Sequence, residues 1–269
     1  MPRIRLDLAY DGGGFSGWAA QPGLRTCQGE LERALSTVAR EPVRVVVAGR
    51  TDAGVHASGQ VAHADVPDAL GVEPRLAHRL SRLAAPEGDL VVRAVRLAPA
   101  GFDARFSAVS RSYRYRIVAG PADPLERRTA AHVPQPLDVD AMRRAAEALV
   151  GLRDFAAFCR PREGATTIRH LRAFSWAQDG PLLTASLTAD AFCHSMVRAL
   201  VGACVRVGEG RLGLTEATAL LEERARSPRT GLMPPHGLTL VSVGYPPDDE
   251  LAAQAERARA RRSADDVED

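Results

Sequence analysis

The chain has 269 residues, 45% of them hydrophobic and 25% charged, which allows one large domain or two smaller ones with a sizeable core. The formal net charge of +2 does not by itself indicate a nucleic-acid binder, although all 35 basic residues are arginine, which matches phosphate groups in a bidentate fashion. No run of about 18 apolar residues predicts a membrane span, and the N-terminus lacks the apolar core of a signal peptide.

The first half of the chain predicts alternating strands and helices. The run RIRLDLAY alternates apolar and polar residues and predicts a half-buried strand, and the segment after Thr26 places apolar residues at helical spacing. A second helix opens at Pro74. Three more strands are predicted at residues 43–48, 60–66 and 89–98.

The second half repeats this order loosely. Residues 111–118 alternate and predict a strand, and Asp138 caps a helix that Gly151 ends. Two strands, an apolar helix, a further helix and a last strand follow, at 167–176, 182–190, 191–208, from 215 onward and at 238–245.

This order predicts an α+β fold of two similar halves, because strands that follow each other without an intervening helix favour antiparallel pairing. We expect mostly antiparallel sheets that join, with helices packed behind them. The predicted boundaries give an N-terminal α+β half over 1–105, a C-terminal α+β half over 106–247 and a charged tail over 248–269 that is frayed or disordered.

Two familiar kinds of site are not predicted. The stretch DGGGFSGW matches a dinucleotide-binding pattern, but Pro22 and Gly23 intervene before any helix, so we interpret it as a glycine-rich loop between elements. The seven histidines and four cysteines lack the spacing of a zinc site, so no metal site is expected. The cysteines form no C-x-x-C pair and are expected as reduced thiols.

The loop GRTDAG places Asp52 between two glycines and close to Arg50. An aspartate in such a loop commonly serves the turn itself, because its side chain bonds nearby backbone amides. The excursion is longer than a hairpin needs, however, and Arg50 is suitably placed to keep a carboxylate ionised or to bind a phosphate. A turn residue and a carboxylate presented to a substrate both remain open.

The apolar helix predicted from Ala191 carries a single charge up to Val205, that of Arg198. A buried guanidinium without a partner would cost several kcal/mol. Its partner could be a carboxylate in a cleft between the halves or Asp190, and the side chain could instead extend to solvent.

The stretch FDARFSAVSRSYRYRI interleaves arginines, among them Arg105 and Arg114, with aromatic residues such as Tyr113. Aromatic rings stack on bases and guanidinium groups bind phosphates, so this pattern is typical of the recognition of single-stranded or flipped-out RNA. It is also typical of a strand with one core face and one solvent face.

Six stretches occur in an order that resembles the tRNA pseudouridine synthase A family, from Arg3 to Pro246: YDGGGFSGWAAQP, AGRTDAGVHASGQVAH, FDARFSAVSRSYRYRI, GLRDFAAF, AFCHSMVRALVGACVRVGEG and HGLTLVSVGYP. The resemblance implies the pseudouridine synthase fold with its active-site cleft between the halves. It implies an isomerase that converts uridine to pseudouridine at positions 38, 39 and 40 of the tRNA anticodon stem-loop. It also implies a cytoplasmic homodimer that needs no cofactor and no metal and does not associate with membranes.

The same resemblance implies which residues form the site, each carried over by its place in a motif. They are a catalytic aspartate with an arginine neighbour, a tyrosine that stacks on the uracil, an arginine that pairs with the aspartate and a leucine beside the base: Asp52, Arg50, Tyr113, Arg198 and Leu238. The interleaved pattern around Tyr113 adds Arg105 and Arg114 as expected substrate-binding residues, because guanidinium groups bind phosphates. Ala19 and the run LMPPHGL depart from the family's usual residues, which affects loops and fine substrate preference more than the chemistry.

Pseudouridine formation breaks the bond from N1 to C1′, turns the uracil and joins C5 to C1′, without hydrolysis or redox change. One carboxylate could attack C1′ or C6, or could remove a proton to give a glycal-like intermediate, and the sequence does not choose among these routes. Three other interpretations stay open: an RNA-binding protein without catalysis, a hydrolase with Asp52 as nucleophile, and the same isomerisation on another RNA or at further positions. The hydrolase is disfavoured because RTDAG lacks a nearby second carboxylate and magnesium ligands.

Overall fold

The computed structural model describes residues 1–162 and 164–259, which form two compact units. The first unit comprises Met1–Val109 together with the described residues from Leu240 onward, and the second comprises Ser110–Thr239. The chain therefore returns to the first unit near its C-terminal end. The expected halves met at residue 105 and placed 240–247 in the second half, so the observed division differs from them at both points.

The described residues contain ten strands and six α-helices. In chain order, their bounds are β1 Arg3–Tyr10, α1 Cys27–Ala39, β2 Val46–Val47, β3 His56–Asp65, α2 Leu76–Ala84, β4 Leu90–Leu97, β5 Ser110–Ala119, β6 Ala131–Val133, α3 Val139–Ala148, β7 Gly151–Asp154, β8 Ile168–Asp179, β9 Leu182–Ala189, α4 Met196–Gly208, α5 Leu214–Ala219, β10 Leu238–Gly244 and α6 Leu251–Arg257.

The first unit is a sheet with helices packed against it. β1 lies in the middle and pairs antiparallel with both β3 and β4, while β2 pairs with β3. The alternation in RIRLDLAY sets this arrangement, because Ile4, Leu6 and Leu8 are fully buried. α1 and α2 pack together and α2 covers β4.

The second unit is built in the same way. Its strand order is β5-β9-β8-β7, with every neighbouring pair antiparallel, and β6 pairs with β5 in parallel. Asp138 caps α3 by accepting a hydrogen bond from the Ala141 amide, as its sequence position predicts. α3 packs against β8 and α4. The expected α+β class with mostly antiparallel pairing is confirmed.

The predicted strand over residues 43–48 shrinks to β2, which has only two residues. The Val43 amide donates to Ser36 Oγ and the Val45 amide donates to Glu32 Oε1, each at 3.0 Å. Side chains of α1 therefore satisfy backbone groups that a longer strand would have paired with another strand. Val43 and Val45 are still buried, which explains why the apolar pattern indicated a strand.

The apolar helix predicted from Ala191 begins five residues later, at Met196. Ser195 has φ +65, a left-handed backbone conformation that does not continue a helix, and the Arg160 amide donates to the His194 carbonyl. The segment before Met196 is therefore a loop. It carries Cys193, whose sulfur is joined to that of Cys159 in a disulfide. The expectation that all cysteines are reduced thiols is wrong for Cys159 and Cys193. No local sequence motif indicated that these two residues pair.

The beginning of the predicted charged tail is ordered in the first unit. Leu251 of α6 is 2% exposed and packs in a cluster with four residues from other elements, Ala48, Val61, Phe102 and Ala104. Ser107 Oγ also donates to the Leu251 carbonyl at 3.0 Å. The expectation of a frayed or disordered tail does not hold for residues 248–257, because Leu251 and Ala255, one helical turn apart, are buried. Residues 260–269 lie outside the described residues.

The helices that the structure describes are too short or too polar to cross a lipid bilayer.

Candidate active site

Asp52 stands at the start of a tight turn in the first unit. The Val55 amide donates to the Asp52 carbonyl at 3.1 Å, and Gly54 between them has φ +78, the positive value that the third position of a type II turn requires. Asp52 is half-buried and Arg50 is exposed. The structure therefore brings these two predicted residues together on one loop, and the turn is formed by backbone groups and a glycine.

Two buried side chains, Tyr10 and Gln60, hold this loop in place through hydrogen bonds. The Tyr10 hydroxyl forms a 2.8 Å hydrogen bond with Thr51 Oγ1, directly before Asp52. Gln60 is fully buried, and its Nε2 donates both to the Tyr10 hydroxyl at 3.1 Å and to the Gly49 carbonyl at 2.8 Å. One glutamine therefore ties the loop to β1 and β3, and its rotation would leave buried polar groups without partners.

The glycine-rich stretch supports the same loop. The Trp18 amide donates to the Thr51 carbonyl at 3.0 Å. A Cβ atom on Gly17 would lie 3.1 Å from the Ala53 nitrogen and 3.1 Å from the Thr51 oxygen, and Gly17 has φ +91. The interpretation as a loop rather than a nucleotide site agrees with α1 starting only at Cys27. Gly17 therefore packs directly against the backbone of the Asp52 loop.

The two histidines that follow Asp52 have structural roles. Nδ1 of His56 accepts a hydrogen bond from the Gly12 amide at 3.1 Å, and Nδ1 of His63 accepts one from the Ala104 amide at 2.9 Å. Burial, with a smaller contribution from the nearby Arg3, lowers the pKa of His63, so this ring stays neutral at pH 7. The described residues contain no group of three histidines, cysteines or carboxylates that could hold a metal ion.

Tyr113, the aromatic residue predicted to stack on the base, lies in the second unit. It lies on β5, is 9% exposed, and meets the ring of Phe192 edge to face at 5.1 Å between centroids. Phe192 belongs to the loop that precedes α4. Arg114 is the next residue on β5, so its side chain points to the opposite face of the strand and is exposed.

The Arg198 side chain is oriented by a hydrogen bond to a backbone segment. Its Nε donates to the Met233 carbonyl at 2.7 Å, and the Met233 amide donates back to the Arg198 carbonyl at 3.3 Å. This bond fixes the plane of the half-buried guanidinium, and with it the direction of the terminal nitrogens. A backbone carbonyl is thus one partner of Arg198, and none of the three possibilities raised by the sequence included it.

Tyr115 holds the same segment one residue further on. It is fully buried, and its hydroxyl donates to the Pro234 carbonyl at 2.7 Å. Burial raises the pKa of Tyr115, and the positive charge of Arg198 opposes that rise only in part, so the hydroxyl stays protonated and serves as a donor. Arg198 and Tyr115 together fix the backbone that leads to Leu238.

Leu238 is positioned by a glycine that packs on this tyrosine. A Cβ atom on Gly237 would lie 2.7 Å from Cζ of the Tyr115 ring and 2.9 Å from the Arg116 carbonyl oxygen. Only glycine lets the chain approach so closely without moving strand β5. Leu238 then opens β10 with its side chain 5% exposed.

Arg105 lies in the first unit, on a turn that Asp103 organises. The Asp103 carboxylate accepts hydrogen bonds from the amides of Arg105 and Phe106, and the exposed Arg105 guanidinium lies 5.0 Å from the centre of the Phe106 ring. The predicted residues thus divide between the units, with Asp52, Arg50 and Arg105 in the first and Tyr113, Arg114, Arg198 and Leu238 in the second.

Sequence interpretation missed four residues that position these groups: Tyr10, Gln60, Tyr115 and Phe192. Gln60 carried a usable signal, because it directly precedes the apolar pair Val61 and Ala62 in a predicted strand, and a buried glutamine needs hydrogen-bond partners. Tyr115 shares its strand face with Tyr113, but period-two spacing alone did not distinguish a stacking ring from a supporting one.

Burial raises the pKa of Cys27 and of Cys204 to about 12, so neither thiol is a nucleophile at neutral pH.

Comparisons with known proteins agree with the motifs. A family model described as tRNA pseudouridine synthase matches residues 145–246. Proteins named tRNA pseudouridine synthase A are 53% identical in Leifsonia xyli subsp. xyli, over 97% of this chain and 98% of theirs, and 56% identical in Frankia casuarinae, over 97% and 96%. The protein of that name in Mycobacterium leprae is 50% identical over 97% of this chain and 96% of its own. A chain of a solved Cbf5-Nop10-Gar1 complex covers 88% of this chain and 57% of its own, with a TM-score of 0.36 and 9% identity, too distant to support an argument.

Proposed function

Because the chain belongs to the tRNA pseudouridine synthase A family and isomerises uridine to pseudouridine in tRNA, we propose that it acts at positions 38, 39 and 40 of the anticodon stem-loop with Asp52 as its catalytic aspartate. The observation that carries this assignment is the way in which Asp52 is presented. Its turn closes through the Asp52 carbonyl, the Val55 amide and Gly54, and the loop is fixed by Tyr10 and Gln60. A carboxylate that must meet one atom of the target nucleotide benefits from such a rigid support.

Asp52 has to be ionised to act as a nucleophile or a base. We propose that Arg198 pairs with this carboxylate and that Arg50, on the same loop, adds a second positive charge. The bond from Arg198 Nε to the Met233 carbonyl supports this role, because it orients the guanidinium without using its terminal nitrogens. A nearby guanidinium favours the charged form of an aspartate.

The base must leave the helical stack and be held while it is detached. We propose that the ring of Tyr113 stacks on the target uracil and that Leu238 forms an apolar wall beside it. Both are held by their surroundings, Tyr113 by the ring of Phe192 and Leu238 by the packing of Gly237 on Tyr115. Arg105 and Arg114 are exposed and are proposed to bind phosphates of the RNA.

The reaction conserves every atom of the nucleotide except for one exchanged hydrogen. The N1–C1′ bond breaks, the uracil turns, the C5–C1′ bond forms, and the hydrogen on C5 leaves as a proton while N1 gains one. No electron or group donor enters this balance, so we expect the reaction to proceed without a cofactor or an added metal. Attack by Asp52 at C1′ or C6 and proton removal to a glycal-like intermediate all fit this stoichiometry.

We also expect the enzyme to act as a homodimer in the cytoplasm, as the family resemblance implies. Analytical ultracentrifugation of the purified chain at micromolar concentration tests the oligomeric state. A sedimentation coefficient that fits two chains agrees with the proposal. A single chain at all concentrations, with full activity, contradicts it.

Tritium release from C5 of uridine tests the chemistry directly. A tRNA transcript labelled at C5 is incubated with the wild type, with Asp52→Asn and with Asp123→Asn, in buffer containing a chelator. Asp123 is a suitable control because its carboxylate accepts the Leu125 amide in a surface turn, and asparagine can accept the same bond. We expect release by the wild type and by Asp123→Asn, and none by Asp52→Asn, with tRNA binding retained in all three.

Transcripts in which cytidine replaces uridine at position 38, 39 or 40 then locate the modified nucleotides. Release that disappears only when all target uridines are replaced supports the proposed positions. Unchanged release from such a transcript would move the activity to another part of the tRNA. Release that persists in Asp52→Asn would exclude Asp52 as the catalytic group, and binding without any release by the wild type would indicate an RNA-binding protein.

A further inference from the structure

Helix α2 carries a basic face that the proposed chemistry does not use. Arg75 directly precedes the helix, and His78, Arg79 and Arg82 follow at spacings that place all four on one side. All four side chains are exposed, while Leu76, Leu80 and Ala84 on the opposite side are buried in the first unit. The arginines span about 10 Å along the helix, given the rise per residue.

This face contains no compensating acid. Within residues 1–162 and 164–259, Arg75, Arg79 and Arg82 form no ion pair and no side-chain hydrogen bond. Arginines elsewhere behave differently: Arg143 pairs with Asp140, Arg211 with Glu209 and Arg224 with Asp154. Like charges at these helical spacings weaken the helix, so the arrangement is locally unfavourable unless something negative binds to it.

A groove next to the helix extends the basic face. It has a volume of about 480 Å³ and lies between α2 and β4, with His78, Arg82 and Arg93 among its lining residues. β4 pairs only with β1 among the described strands, so its other edge faces this groove. The Arg93 guanidinium donates to the Ser58 carbonyl of β3 at 2.6 Å, so the charge that the groove adds to the proposed surface comes from α2.

We propose that this α2 face, with the groove beside it, binds the phosphate backbone of tRNA and supplies affinity without sequence preference. The proposal rests on tRNA being the substrate of this chain. A polyanion is favoured over an acidic protein, because the substrate tRNA itself presents a continuous line of phosphates to three unpaired guanidinium groups in a row.

The test compares two variants with the same change in net charge. The first is the triple variant Arg75→Gln, Arg79→Gln, Arg82→Gln, and the control is Arg143→Gln, Arg211→Gln, Arg224→Gln, whose arginines are ion-paired. The dissociation constant for a full-length tRNA transcript is measured for both and for the wild type over a series of salt concentrations. Glutamine is a good helix former, so the α2 variant keeps its helix, and thermal unfolding verifies that.

We expect the α2 variant to bind tRNA at least about tenfold more weakly at about 0.1 M salt, with the slope of log K against log salt reduced by about 2–3. The control variant should lose less than about threefold. Lysine at the three α2 positions should restore most of the affinity, because a phosphate contact needs mainly the charge. If the triple variant does not fold, Arg79→Gln alone should still lower the slope by about one.

An α2 variant with the affinity and salt slope of the wild type, or with the same loss as the control, would overturn the proposal. Tritium release by the wild type in that case leaves the proposed function intact. Conversely, a wild type that binds tRNA through α2 but releases no tritium would overturn the proposed function and leave this surface standing. Binding of an acidic peptide that depends on α2 while tRNA binding does not would identify a protein partner and exclude the RNA.

Discussion

The Asp52 loop of the first unit and the Met233–Leu238 segment of the second unit both position residues of the proposed site, but they are fixed by different forces. Buried neutral hydrogen bonds from Tyr10 and Gln60 hold the loop. A charged hydrogen bond from Arg198 and the packing of a glycine on the Tyr115 ring hold the segment. In the first case an aspartate is the residue presented, and in the second case an arginine and a leucine.

This difference has a physical reason. A catalytic carboxylate has to meet its substrate at a fixed point. The neutral hydroxyl and amide groups of Tyr10 and Gln60 fix the loop without adding a charge that would pair with the carboxylate. The segment instead uses a residue of the proposed catalytic set, Arg198, as part of its own support. We therefore expect mutations of Tyr10 or Gln60 to change the rate of reaction through the geometry of the loop alone, whereas mutations at Arg198 change geometry and charge together.

Arg198→Met should have the largest effect. Methionine fills similar space but removes the charge and the bond to the Met233 carbonyl, so turnover should fall about a hundredfold or more, with tRNA binding reduced much less. Arg206→Met is the matched control, because Arg206 lies on the same helix and donates to the Arg229 carbonyl at 3.0 Å. Single-turnover rates and tRNA dissociation constants separate the two effects. Equal losses of binding and turnover in Arg198→Met would contradict the pairing with Asp52.

Gln60→Leu should lower the turnover number about tenfold and leave KM nearly unchanged. Leucine is similar in size but leaves the Tyr10 hydroxyl and the Gly49 carbonyl without their donor, at a cost of about 1–3 kcal/mol in the free energy of unfolding. Gln178→Leu is the control, since within the described part of the chain that exposed glutamine donates only to the Gly180 carbonyl. Steady-state kinetics and urea unfolding measure both quantities. A folded Gln60→Leu enzyme with normal turnover would show that Asp52 does not depend on this support.

Gly237→Ala should destabilise the chain by about 1–3 kcal/mol, because its Cβ would overlap the Tyr115 ring and force β5 or the segment to shift. Gly213→Ala provides a comparison: the three atoms nearest to its Cβ would all belong to the flexible Glu216 side chain, the first at 3.1 Å. Urea unfolding midpoints of the two variants decide the question. If the two glycines tolerate alanine equally well, the ring of Tyr115 does not fix the segment.

Tyr113→Phe should have the smallest effect, within about threefold of the wild-type turnover number. The phenylalanine ring keeps the face available for stacking and the edge-to-face contact with Phe192. Tyr113→Ala should be far more damaging, since stacking is worth about 1–3 kcal/mol per base. Kinetics of both variants on the same tRNA provide the measurement. If phenylalanine is as harmful as alanine, the hydroxyl is required and stacking alone is not the function of this residue.

Strands and helices with clear periodicity could be predicted from the sequence. β1, α1, α2 and β5 lie within a few residues of their predicted bounds, and the predicted cap Asp138 accepts a hydrogen bond from the Ala141 amide. Predictions failed where side chains or backbone conformation overrode the pattern. Residues 43–45 bond to α1 side chains, and Ser195 in a left-handed conformation delays α4 to Met196. The disulfide between Cys159 and Cys193 bridges 34 residues, and local spacing carries no signal for such a pairing.

The sequence by itself determined the α+β class, because periodicity acts over a few neighbouring residues, and it determined the family, because GRTDAGVHA and five other stretches occur in order. Only the tertiary structure decided how Asp52, Arg198 and Leu238 are supported. Gln60 reaches Tyr10 across 50 residues, Tyr115 reaches Pro234 across 119, and Leu251 packs against residues that lie far upstream. Such contacts depend on which buried donor meets which carbonyl after the chain has folded, and no short window of sequence contains both partners.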